Sequence, residues 1–122
     1  MSSIVSFMDL RIWRIGIQIV KETYRACGAF PKQETYGLAS QMQRAAVSIP
    51  SNIAEGYSRL HKKEYKQFLS VSLGSCAELT TQVFIARELQ YIKQDETDHL
   101  IDIIDQESKQ IRSLISKIKE NE

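Results

Sequence analysis

Hydrophobic residues recur along this chain at three- and four-residue steps, and no stretch alternates long enough to make a strand. The pattern predicts four helices, over about residues 9–27, 34–55, 61–90 and 95–119. Gly28 followed by Pro31 closes the first helix and Gly56 the second. The acidic turn Asp95-Glu96-Thr97-Asp98 opens the fourth. Connections this short make neighbouring helices antiparallel, so the expected fold is all-α: an up-down-up-down four-helix bundle in one domain over residues 1–122.

Three positions break the local rules. Gly16 and Gly74 lie inside helical patterns, where each costs about 1 kcal/mol relative to Ala, so both are expected where another helix comes close. Pro50 lies inside the second helix, lacks a donor for the Ala46 carbonyl, and predicts a kink there. Ser48, Ser51 and Asn52 are placed to help satisfy the disturbed backbone.

The first helix carries two apolar stripes. Leu10, Trp13, Ile17, Val20, Tyr24 and Cys27 make one, expected to face the core. Ile12, Ile15 and Ile19 make another, about 150° away around the helix. Three isoleucines left in water would form the kind of patch that monomers avoid, so this second stripe is expected to be an oligomer interface. The remaining polar sector holds Arg11, Arg14, Gln18, Lys21 and Arg25, a line of cations spaced to meet phosphates.

Composition changes this picture little until it is divided. The chain has 122 residues, 43% hydrophobic and 25% charged, a balance that excludes disorder. Its 16 Lys+Arg against 15 Asp+Glu leave a net charge of +1. Residues 1–66 nevertheless carry net +5, and residues 67–122 net −4. A second basic cluster, Arg59, His61, Lys62, Lys63 and Lys66, sits at the turn into the third helix. Cations there oppose the helix macrodipole, which favours a role toward an anionic partner.

Candidate chemistry is sparse. The sequence has no Gly-rich phosphate loop, GxSxG or HExxH. Glu96-Thr97-Asp98-His99 has the Glu-x-x-His spacing of di-iron bundles, but such sites need two copies and further glutamates. Glu78 and Glu107 fall near apolar seams, where a cation such as Arg44 or Arg87 could pair with them. Cys27 and Cys76 lack metal-site spacing and are expected to be buried free thiols. The expectation is a non-enzyme without metal or cofactor. Met1-Ser2-Ser3-Ile4-Val5-Ser6-Phe7 lacks the basic and apolar regions of a secretory leader. The longest apolar run, Val83-Phe84-Ile85-Ala86, is far short of the ~20 residues of a membrane span. A cytoplasmic protein without a membrane partner is expected.

Several segments together resemble a known family. They are Phe30-Pro31-Lys32-Gln33-Glu34-Thr35-Tyr36-Gly37-Leu38, Gln41-Met42-Gln43-Arg44-Ala45-Ala46 and Ser48-Ile49-Pro50-Ser51-Asn52-Ile53-Ala54-Glu55-Gly56. Glu64-Tyr65, Phe68-Leu69 and Gly74-Ser75-Cys76-Ala77-Glu78-Leu79 continue the match, with Phe7, Leu10 and Trp13 near the start. The chain resembles the four-helix bundle proteins encoded in intervening sequences of bacterial 23S ribosomal RNA genes. That family includes the accessory variability determinant of diversity-generating retroelements. The resemblance implies a homopentameric ring or barrel and, for the retroelement branch, a basic surface that binds RNA or DNA and a reverse transcriptase. Arg44, Arg59, Arg11, Arg14, Lys21 and Arg25 are the positions it carries forward as candidate nucleic-acid contacts. This chain departs from the basic members in being nearly neutral, with an acidic last helix. The alternative to nucleic-acid binding is a scaffold whose basic and acidic halves pair between subunits.

Overall fold

The computed structural model describes residues 6–119; the stretch read above for a leader begins outside them. Four α-helices are present and no strand is found among the described residues. They are α1 (Arg11–Cys27), α2 (Leu38–Tyr57), α3 (Lys62–Glu88) and α4 (Gln94–Lys117). Each helix packs on its sequence neighbours and α4 closes back on α1, while the backbones of the diagonal pairs stay apart. Their shared axis is filled by Ile19, Met42, Ile49, Ile53, Leu69, Leu79, Ile104 and Ile111, all fully buried.

The isoleucine stripe of α1 requires a correction. Ile12 and Ile19 are 5% and 0% exposed, and Ile15 packs against the same core. Of the other stripe, Ile17 and Tyr24 are exposed. Ile12, Ile15 and Ile19 are therefore spent inside the protomer rather than offered to a second subunit, while the first stripe is divided: Leu10 and Cys27 are buried and Trp13 and Val20 pack against the core, but Ile17 and Tyr24 face outward. The physical reason is what stands at the middle of the buried face: Gly16 and Thr23, which an apolar count passes over. Because α2 and α4 flank α1 on both sides, the buried arc is wide. It takes in the isoleucines and leaves the first stripe along its α2 margin.

Gly16 lies where three helices crowd together. A β-carbon there would stand 3.1 Å from Pro50 Cβ and 3.2 Å from Glu107 Oε2, so α1, α2 and α4 converge on a position without a side chain. Gly74 does not repeat this. It is exposed, and a β-carbon would meet nothing within 4 Å. Gly56 does not end α2, which continues to Tyr57; it lies where Phe68 and Tyr65 of α3 press in.

The second helix begins later than its periodicity suggests. Lys32–Glu34 forms a short 3-10 turn, and α2 starts at Leu38. Glu34 Oε1 accepts the Leu38 N–H at 3.0 Å and supplies the cap that Gly37 lacks. Its Oε2 accepts the Tyr91 hydroxyl at 2.9 Å, tying this turn to the α3–α4 connection. A β-carbon at Gly37 would lie 2.7 Å from Glu34 Oε1, so this cap requires glycine.

Around Pro50 the backbone is supported from two sides. Asn52 Nδ2 donates to the Ser48 carbonyl at 2.8 Å, and Ser72 Oγ of α3 donates to the Ile49 carbonyl at 2.9 Å. Ser48 Oγ and Ser75 Oγ are 2.8 Å apart. Along α1 and α2, Cys27 faces Ala39 and Gly16 faces Pro50; along α1 and α4, Glu22 faces His99 and Gly16 faces Glu107. By length and composition α3 could also cross a membrane, with a mean hydropathy of 1.3 over its most apolar window. In the bundle it is the helix whose Leu69, Leu79, Val83 and Ala86 are fully buried.

Candidate functional site

The outer face of α1 is built from cations because its inner half is committed to the core. Arg11, Arg14, Lys21 and Arg25 are all exposed on one side of the helix. Arg14 is engaged locally, its Nε donating to the Met8 carbonyl at 3.0 Å with Asp9 at 3.7 Å. Arg25 pairs with Glu22 at 3.0 Å. Arg11 and Lys21 have no ion-pair partner among the described residues. Exposed pairs of this kind contribute about 0–1 kcal/mol, so none holds its cation away from a better partner.

The second cluster lies at the α2–α3 turn. Gly16 opposite Pro50 and the short 3-10 turn Phe7–Asp9 against α2 place this turn at the same end of the bundle as the beginning of α1. Arg11 and Arg14 therefore share an end with Arg59, Lys62, Lys63 and Lys66, while Lys21 and Arg25 stand further along. Arg59 pairs with Glu55 at 2.8 Å and its guanidinium lies 4.9 Å from the centre of the Phe68 ring. His61 caps α3 without a side-chain bond to its first turn. Lys62 and Lys63 are exposed and Lys66 is half-buried. Arg44 stands apart, beside Tyr24 and Val47 in the α1–α2 groove, donating to Ser40 Oγ at 3.3 Å.

A groove of about 660 Å³ runs between α3 and α4. It is lined by the apolar Leu73, Ala77, Phe84 and Ile101 and, from α4, by Asp98, Asp102 and Asp105, with Arg112 at the far end of the same wall. Asp98 and Asp102 accept only neutral amides, from Gln94 at 2.7 Å and Gln106 at 3.0 Å, whereas Asp105 pairs with Lys109 at 3.0 Å. The sequence marks the last helix as acidic, with Asp102 a candidate partner for the basic line of a neighbouring subunit, but not the groove that these aspartates line. Its signal was legible as aspartates at i, i+4 and i+7 on one face of an amphipathic helix.

Glu107 is buried at 0% exposure, and neither carboxylate oxygen has a hydrogen-bond partner. Burial pushes its pKa up from 4.5 to about 8. The cations considered for it are elsewhere: Arg44 bonds Ser40, and Arg87 bonds Glu88 and Gln94. Glu78 is exposed and accepts a weak bond from Gln82. Cys27 and Cys76 are buried free thiols, both pushed up to about 11 by burial. Glu96 and His99 are separated by their partners: Glu96 accepts the Lys93 N–H, and His99 Nε2 lies 3.3 Å from Glu22. No group of three or more His, Cys, Asp or Glu able to hold a metal occurs among the described residues.

The family pattern described as 23S rRNA-intervening sequence protein matches residues 8–113, nearly the whole bundle. The chain belongs to that family. A crystal structure from Bacteroides thetaiotaomicron, a protein of unknown function from the S23 ribosomal protein family, superposes with a TM-score of 0.78. The two share 16% identity, over 87% of this chain and 99% of that one, a likeness that concerns the fold alone. No curated protein matches the sequence. Membership accounts for the four helices and fixes no activity. The reading of this intervening-sequence protein therefore rests on its own surface.

Proposed function

We propose that this intervening-sequence protein is a non-catalytic oligomeric module that binds RNA or DNA through phosphate contacts. The observation that carries the reading is the exposed cation line of α1, in which Arg11 and Lys21 have no ion-pair partner among the described residues. The lysines of the α2–α3 turn extend the same end of the bundle. Phosphate contacts need exposed positive charge and no deep cleft, which is what this face offers. Glu107 and Cys76, the deepest-set titratable groups, line none of the four grooves described, which supports a non-catalytic role. The protomer is read as an up-down-up-down bundle bent at Pro50, supported by facing residue pairs whose numbers run in opposite directions. Assembly into a ring, with five subunits as the family resemblance implies, would set several such faces side by side.

Titration with single- and double-stranded RNA and DNA across salt tests this. Binding at ~50 mM salt should fall steeply as salt rises. Changing Arg11, Arg25, Lys62 and Lys63 to Gln should weaken binding to every sequence and flatten the log–log salt slope by roughly 3 to 4 on duplex DNA. No detectable binding of any of the four ligands at ~50 mM salt would sink the proposal.

A second reading is favoured by the acid-walled groove. Here the protein is an interaction scaffold whose subunits pair basic surface with acidic surface, so that the chain's +5 and −4 parts neutralise each other in the assembly.

A further inference from the structure

The α3–α4 groove and the outer face of α1 are complementary in three respects. The groove offers exposed Phe84 and the apolar Ile101, and α1 offers exposed Ile17 and Tyr24. The groove wall presents carboxylates at Asp98, Asp102 and Asp105, and α1 presents Arg14 and Lys21 next to its apolar pair. The spacing also agrees. Arg14 and Lys21 are seven residues apart, as are Asp98 and Asp105, so each pair spans about 10 Å of helix.

Within one protomer the α1 strip is exposed, and the backbone of α1 packs on α2 and α4 without approaching that of α3. On α1, Tyr24, Ile17, Lys21 and Arg14 fall within about 80° of arc, the width of strip that a helix lays into a groove. Asp98 and Asp102 have no cation partner among the described residues.

We propose that the α3–α4 groove receives the Arg14–Ile17–Lys21–Tyr24 strip of α1 from a second copy of this chain. The contact rests on the oligomeric reading above and gives it a surface in place of the buried isoleucines. It joins two different patches, so every protomer keeps one of each free for the next copy. Such heterologous contacts close into rings when the rotation allows, and otherwise extend as filaments. Arg11 lies about 100° around the helix from the middle of the strip, and the α2–α3 turn is on other elements; both stay outside the contact and open to a polyanion.

Light scattering on the full-length chain at low salt supplies the test, with circular dichroism confirming that each variant is helical. The wild type should exceed its monomer mass of 14.0 kDa severalfold. Reversing the wall (Asp98→Lys with Asp105→Lys) or the strip (Arg14→Glu with Lys21→Glu) should return the mass to that of a monomer. Combining the four reversals should restore the assembly. A monomeric wild type overturns the oligomeric reading and this contact with it. An assembled wild type whose mass neither reversal changes overturns the contact alone and leaves the groove to another occupant.

Discussion

The Oε2 atom of Glu107 stands 3.2 Å from the place where Gly16 would carry a β-carbon. A buried carboxyl on α4 therefore occupies room that α1 provides by lacking a side chain, with Pro50 of α2 closing the third side at 3.1 Å. The helix-breaking residues of two strands of sequence pattern, a glycine and a proline, meet at one point, and each explains the other's tolerance. Gly16 gives up helix propensity so that the rigid proline ring can approach, and the ring fills space that a larger residue at position 16 would need.

Substitution at the two mid-helix glycines should separate propensity from packing. Gly74 faces open space, so Gly74→Ala should raise stability by about 0.5–1 kcal/mol. Gly16→Val must displace Pro50 or Glu107 and should lower stability by about 1–3 kcal/mol. Urea denaturation of both variants, analysed at a common slope, measures the contrast. Stabilisation by Gly16→Val would mean that the three-helix junction is looser than described.

Glu107 makes the stability of the protein fall as pH rises. Its folded pKa, about 8, is above its ordinary 4.5 because burial disfavours the charged form. The contribution is therefore fully favourable below pH ~4.5 and is lost as pH climbs through ~8. Over that window the loss is on the order of 4 kcal/mol, opposed by whatever other groups titrate. Glu107→Gln keeps the shape and cannot ionise, so its advantage over the wild type should grow from pH 5 to pH 9. Equal pH dependence for the two proteins would show that Glu107 reaches water or a cation.

Glu34 works in the opposite sense. Its pKa is lowered, first by the bond from the Leu38 N–H and then by the Tyr91 hydroxyl, so its contribution is present above its ordinary pKa and is lost as pH falls through the folded value. Glu34→Ala should speed hydrogen exchange at the Leu38 amide and lower the melting temperature. Tyr91→Phe should remove only the hydroxyl bond and leave the Leu38 amide protected. If both variants exchange at Leu38 as the wild type does, the cap is made by another group.

The sequence by itself determined the four helices, because three- and four-residue periodicity and the turn signals at Gly28, Pro31 and Asp95-Glu96 are local properties of the chain, whereas the late start of α2 at Leu38 and its continuation past Gly56 are not read from them. It also determined the cation line of α1, since residues on one helix keep their angular relation whatever they pack against. That both apolar stripes of α1 enter the core, with Ile17 and Tyr24 alone of them left exposed, was decided only by the tertiary structure. Periodicity gives the angle between stripes, whereas burial depends on where neighbouring helices stand, and here the inner face centres on Gly16 and Thr23. The same holds for the two glycines, identical to a propensity scale and opposite in surroundings, and for Glu107, whose seam position left open a cation partner that the assembled bundle does not supply. The α3–α4 groove also exists only in the fold, because Leu73, Ala77 and Phe84 come from α3 and the aspartates from α4, and only packing brings the two together.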